Sequence, residues 1–116
     1  MIVRVHAREL RSRANGPGVR AVITGQDFAA PYGVFSVARR YDPELDVFFI
    51  ADALRPVQAQ AGFTVLPNYS FNDTPSMDAF LIPGGFGTRQ EMHNRRLFTY
   101  IESLSETTLL TSVCTG

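Results

Sequence analysis

Four apolar residues, Ala79, Phe80, Leu81 and Ile82, run without interruption into Pro83, Gly84, Gly85, Phe86 and Gly87. Such a run reads as a buried strand that stops in a sharp glycine-rich bend. A chain with this feature must cover both faces of the strand while leaving its end free to turn.

Other runs repeat the design. Residues 19–24 (VRAVIT) are apolar and β-branched up to Gly25, which reads as a buried strand and a turn. Residues 45–51 (LDVFFIA) suit a strand covered on both faces of a parallel sheet. Residues 109–113 (LLTSV) form a last strand that ends in Cys114, Thr115 and Gly116.

Helical spacing fills the gaps. Pro31 suits a first helical turn, and Val34, Phe35, Ala38 and Tyr41 recur on one face before Asp42 and Pro43 break the pattern. Asn94 is placed to cap a helix whose Leu97, Tyr100, Ile101 and Leu104 face inward while Arg95, Arg96 and Glu102 face water. Residues 56–67 alternate weakly around Gly62 and predict two short extended pieces, as a small hairpin or an edge excursion. Strands alternating with helices predict an α/β fold, a mostly parallel sheet with flanking helices and right-handed crossovers.

At 116 residues, 45% of them hydrophobic, the chain has the size of one domain with a real core. Eleven basic and eleven acidic residues cancel, so no global field draws it to nucleic acid or to an anionic membrane. Arg4, Arg8, Arg11, Arg13 and Arg20 stand against the single acid Glu9 near the start. Their segment lacks the amphipathic order of a transit peptide, so residues 1–18 are expected to be a disordered lead-in and 19–116 the domain. No apolar run reaches a membrane span or follows the N-terminal charges as a secretory signal would, which predicts a cytoplasmic protein. One cysteine precludes an internal disulfide and argues against a cysteine-based metal site.

In open parallel sheets, reactive groups gather beyond the carboxyl ends of the strands. That rule brings Asp27, the bend at Gly84 and Gly85, and Cys114 to one edge. A cysteine directly after an apolar strand suits a strained turn that exposes a nucleophile, and a helix beginning at Thr115 would stabilise its thiolate. The amides of Gly85 and Thr115 are candidates to bind an oxyanion, and Asp27 to orient the thiol or move its proton. Spacing alone leaves plainer readings open. A cysteine after a buried strand is often a core residue, a PGG bend is a common turn, and Asp27 equally suits a helix cap. His93 reads as a surface residue and His6 lies in the lead-in, so neither is assigned as a base.

The segments DFAAPYGVFSVARRY, PVQAQAGFTVLPNYSF, DAFLIPGGFGTR and TSVCTG, in that order, resemble the ThiJ/PfpI superfamily, and most of all its isonitrile hydratase-like branch. The resemblance spans residues 19–116. It implies a flavodoxin-like, class I glutamine amidotransferase-like domain with Cys114 as nucleophile, Asp27 as its acidic partner, and Gly84, Gly85 and Thr115 at the oxyanion positions. It implies a small electrophilic substrate of the isonitrile type, a homodimer, and no cofactor or metal. Gly33 departs from the pattern, standing where relatives often carry an acid. Relatives also have a longer first strand and continue through a helix after the cysteine, so the domain is expected to be incomplete and altered at its start. Two further readings are a ligand-sensing domain of an AraC-type transcriptional regulator and a fragment without activity of its own.

Overall fold

Residues 29–59, 62, 64–104 and 106–116 are described by the structure, a computed structural model. The predicted strand at 19–24, the lead-in at 1–18 and Asp27 lie outside them.

The interior is built from the short apolar runs. Strand β1 (Ile50–Ala51) pairs in parallel with β4 (Tyr69–Ser70), and β5 (Ala79–Ile82) pairs in parallel with β6 (Leu109–Ser112). In the second pair Ala79 faces Leu109 and Ile82 faces Ser112. Strands β2 (Val57–Gln58) and β3 (Thr64–Val65) form the small antiparallel hairpin that the alternation around Gly62 suggested. Three helices accompany them among the described residues: α1 (Ala29–Ala38), the short α2 (Thr88–Glu91) and α3 (Arg95–Glu102). The architecture is α/β with mostly parallel pairing.

Strand β5 carries the core. Ala79 and Phe80 are fully buried and Leu81 nearly so, packed with Ile50, Phe48, Leu45, Phe35, Leu97 and Tyr100. Each large apolar side chain removed from water here stabilises the fold by about 1.5–3 kcal/mol before ordering entropy is subtracted. Aromatic contacts tie the layers together. Tyr100 of α3 stacks on Phe71 with ring centroids 4.5 Å apart and lies 5.8 Å from Phe80. Asn94 caps α3 as its position predicted, its side-chain oxygen accepting from the backbone N–H groups of Arg96 and Leu97.

Two expectations are corrected. The inward face of α1 reduces to Phe35 and the half-buried Ala38, while Val34 is 64% and Tyr41 86% exposed. The cause is that the helix ends at Ala38 and tightens into a turn, with the N–H of Tyr41 donating to the carbonyl of Ala38, so Tyr41 swings off the helical face. Residues 45–51 form an isolated bridge at Leu45 and a strand only at Ile50–Ala51. Before that, the N–H of Phe49 is taken by the side chain of Asn68 rather than by a neighbouring strand. The pairing partner β4 was not foreseen, and the ladders among the described residues form three pairs rather than one continuous sheet. Strand β6 carries two exposed leucines, Leu109 at 41% and Leu110 at 52%.

Candidate functional site

Parallel pairing of β5 with β6 places the two strands' carboxyl ends side by side. The register continues past the strands, because the N–H of Val113 donates to the carbonyl of Ile82 at 3.1 Å. Both strands then give way to turns in the same place, β5 through Pro83, Gly84 and Gly85, β6 through Cys114 and Thr115.

The β6 turn is closed by the N–H of Gly116 donating to the carbonyl of Val113 at 3.0 Å. Inside it, Cys114 adopts φ 57°, the only positive φ among the described non-glycine residues. A left-handed backbone costs a residue with a Cβ about 1–2 kcal/mol. Such strain survives where the surroundings fix it, and it gathers at functional positions. The thiol is exposed. Cys114 thus stands exposed in a left-handed turn at the end of β6.

The glycine bend fits against that turn with no room to spare. A Cβ on Gly84 would stand 2.6 Å from the Cβ of Cys114 and 2.7 Å from the backbone nitrogen of Thr115. Gly85 has φ 111°, a conformation that only glycine adopts readily. Both glycines are therefore required by geometry, one by close approach and one by its dihedral.

Hydrogen bonds cross between the two turns. The N–H of Gly85 donates to Oγ1 of Thr115 at 3.3 Å, Oγ1 of Thr88 donates to the carbonyl of Gly85 at 2.7 Å, and the two threonine hydroxyls are 3.3 Å apart. The Gly85 amide proposed as an oxyanion donor is thus engaged by the hydroxyl of Thr115. Thr88 was missed by sequence reasoning. Its signal was its place three residues after Gly85, where a threonine hydroxyl can reach back to a backbone carbonyl.

The structure brings Gly84, Gly85, Cys114 and Thr115 together; Asp27 lies outside the described residues. Phe86, 67% exposed, flanks the bend, with the Arg89 guanidinium carbon 5.8 Å from its ring centroid. His93 is exposed, as expected for a surface residue. Among the described residues no group of three His, Cys, Asp or Glu side chains is placed to hold a metal ion, and no helix is long and apolar enough to cross a membrane. An open cavity of about 320 Å³, lined by Phe71, Arg95, Arg96, Thr99 and Tyr100 among others, involves none of the cysteine-turn residues.

No protein-family model matches the chain. An isonitrile hydratase from Pseudomonas putida is 31% identical over 91 residues, which cover 78% of this chain and 38% of that protein. Among solved structures, a ThiJ/PfpI family protein from Pseudomonas syringae superposes with a TM-score of 0.71 at 20% identity, over 84% of this chain and 42% of its own. A DJ-1 superfamily protein from Agrobacterium tumefaciens gives 0.58 at 21% identity over 83% and 53%. A protein described as a transcriptional regulator from Vibrio parahaemolyticus gives 0.63 at 17% identity over 82% and 56%. The chain spans well under two thirds of the length of each.

Proposed function

We propose that the chain, which is similar to proteins of the ThiJ/PfpI superfamily, carries the cysteine site of a hydratase acting on small electrophilic carbon, of the isonitrile type. The observation that carries this reading is the exposed Cys114 at φ 57°, pressed against the Gly84 and Gly85 bend at the ends of two parallel strands. Likeness to an isonitrile hydratase supports the substrate class.

In this reading the Cys114 sulfur bonds to the terminal isonitrile carbon while the thiol proton, handled by Asp27, passes to that carbon, giving a thioformimidate. Water then adds to the same carbon. The carbon–sulfur bond breaks, a proton returns to sulfur, and the product is the N-substituted formamide, so one water is consumed per isonitrile. The amides of Gly85 and Thr115 stabilise charge on the oxygen that water brings, and Gly84 lets the bend approach close enough to place them.

The test is formamide production from an aryl isonitrile by the full chain and by Cys114→Ser, with circular dichroism on both. We expect product from the first, none from the second, and matching spectra. No product from the unmodified chain, or equal product from the serine variant, overturns the reading.

Likeness to a transcriptional regulator favours a second reading, a ligand-sensing domain of an AraC-type regulator. Saturable binding of a small molecule at the cysteine turn without any turnover would select it.

A further inference from the structure

The three hydrogen bonds that link Gly85, Thr88 and Thr115 can be assigned a direction by counting protons. Each threonine hydroxyl has one proton and can both donate and accept. Thr88 uses its proton on the Gly85 carbonyl, the shortest of the three contacts at 2.7 Å. At the 3.3 Å contact between hydroxyls, Thr115 must therefore be the donor and Thr88 the acceptor. The Thr115 oxygen in turn accepts from the N–H of Gly85. The result is a closed ring: Gly85 N–H to Thr115, Thr115 to Thr88, Thr88 to Gly85 C=O.

The ring is unequal. Its 2.7 Å link is a full-strength bond, whereas both links made by Thr115 are at 3.3 Å, beyond the usual 2.7–3.2 Å for N–H···O and 2.5–3.0 Å for O–H···O contacts. Thr88 is half-buried and Thr115 exposed. The tight half holds Gly85 in place and the loose half covers its N–H.

We infer that Thr88 is a positioning residue that anchors Gly85 and holds the Thr115 hydroxyl over the Gly85 amide, so that this donor beside Cys114 stays capped until a substrate oxygen displaces the hydroxyl. Displacement breaks only the two long bonds, because the Thr88 link to the Gly85 carbonyl stays made. The donor is thereby kept aimed both before and after the cap leaves. The inference rests on the hydratase reading for its purpose, while the ring itself is independent of any reaction.

The experiment follows the Gly85 amide by ¹⁵N NMR and hydrogen exchange in the full chain and in Thr88→Val, Thr88→Ser, Thr115→Val and the Thr88→Val/Thr115→Val double variant. Loss of one modest hydrogen bond raises exchange about fivefold. We expect Thr115→Val to move the Gly85 proton upfield and speed its exchange by that amount, Thr88→Val to do the same, Thr88→Ser to match the unmodified chain, and the double variant to add nothing to Thr88→Val. A Thr88 that only starts the short helix α2 would act independently of the Thr115 hydroxyl, and the two valine effects on Gly85 would then be additive, which overturns the inference. Should Thr88→Val fail to fold, the exposed-site Thr115→Val decides: an unmoved Gly85 amide sinks the idea. Isonitrile turnover measured alongside keeps the readings apart. Its absence removes the hydratase reading and leaves Gly85 to decide this one; an unmoved Gly85 amide with turnover intact removes this one alone.

Discussion

Gly84 lies so close to Cys114 that a Cβ added to it would meet the cysteine Cβ at 2.6 Å and the Val113 carbonyl oxygen at 2.9 Å. Both obstacles sit on or next to the backbone, so no flexible side-chain end can move aside. Gly84→Ala must push the bend away from the cysteine turn, and overpacking of this kind costs about 1–3 kcal/mol. Urea unfolding measures it. A loss too small to resolve would mean that the two turns are not held in contact.

Strain at Cys114 makes a separate prediction. Relief of a left-handed backbone is worth about 1–2 kcal/mol, and glycine gives back roughly 0.5–1 kcal/mol through its freedom in the unfolded chain. Cys114→Gly should therefore match Cys114→Ala or exceed it by up to about 1.5 kcal/mol, since neither retains the thiol. Comparing these two variants isolates the dihedral. A glycine variant less stable than the alanine one by roughly 0.5–1 kcal/mol would show that φ 57° carries no stored strain.

Helix α3 offers a test of its cap. Asn94 accepts at 3.1 Å from Arg96 and 3.3 Å from Leu97, while its amide donates to Glu91 at 2.6 Å. Asn94→Ala loses all three and should cost about 1 kcal/mol in thermal or urea unfolding. Asn94→Asp keeps the acceptor but sets a carboxylate against Glu91, so it should recover only part of the loss at neutral pH. Full recovery would show that the Glu91 contact contributes nothing.

How much of this was legible beforehand follows from what each signal depends on. Strand β5 and its bend could be read because AFLI followed by PGG has few alternatives, and the α3 cap because Asn94 precedes an apolar stripe of period three to four. The exposed Cys114 turn was legible as a strand end. Strand β4 was not, because Tyr69 and Ser70 carry no apolar run of their own and pair only because β1 lies beside them. The outward Val34 and the exposed Leu109 and Leu110 show the converse, apolar residues whose burial depends on neighbours and not on spacing. Thr88 escaped notice because its partner Thr115 is 27 residues away, a contact that only the parallel register of β5 and β6 creates.

Tyr100 provides a pH test with a definite sign. Its hydroxyl is buried without a well-formed hydrogen bond, although Thr74 lies near enough to oppose the shift slightly. Burial disfavours the phenolate and raises the group above its ordinary value of 10.0. Below that value both the folded and the unfolded chain keep the proton, so this group adds no pH dependence. Above it the unfolded chain ionises first, and folding stability falls with rising pH until the raised folded value is passed. Tyr100→Phe removes both the unpaired hydroxyl and this ionisation. At neutral pH the variant should equal the unmodified chain or exceed it by up to about 1 kcal/mol, since an unpaired buried group is destabilising. Above pH 10.0 its advantage should widen. Denaturant unfolding at the two pH values measures both. A phenylalanine variant that is less stable at neutral pH would mean that the hydroxyl holds a real partner. Parallel pH curves would mean that the phenol ionises as readily in the fold as in the open chain.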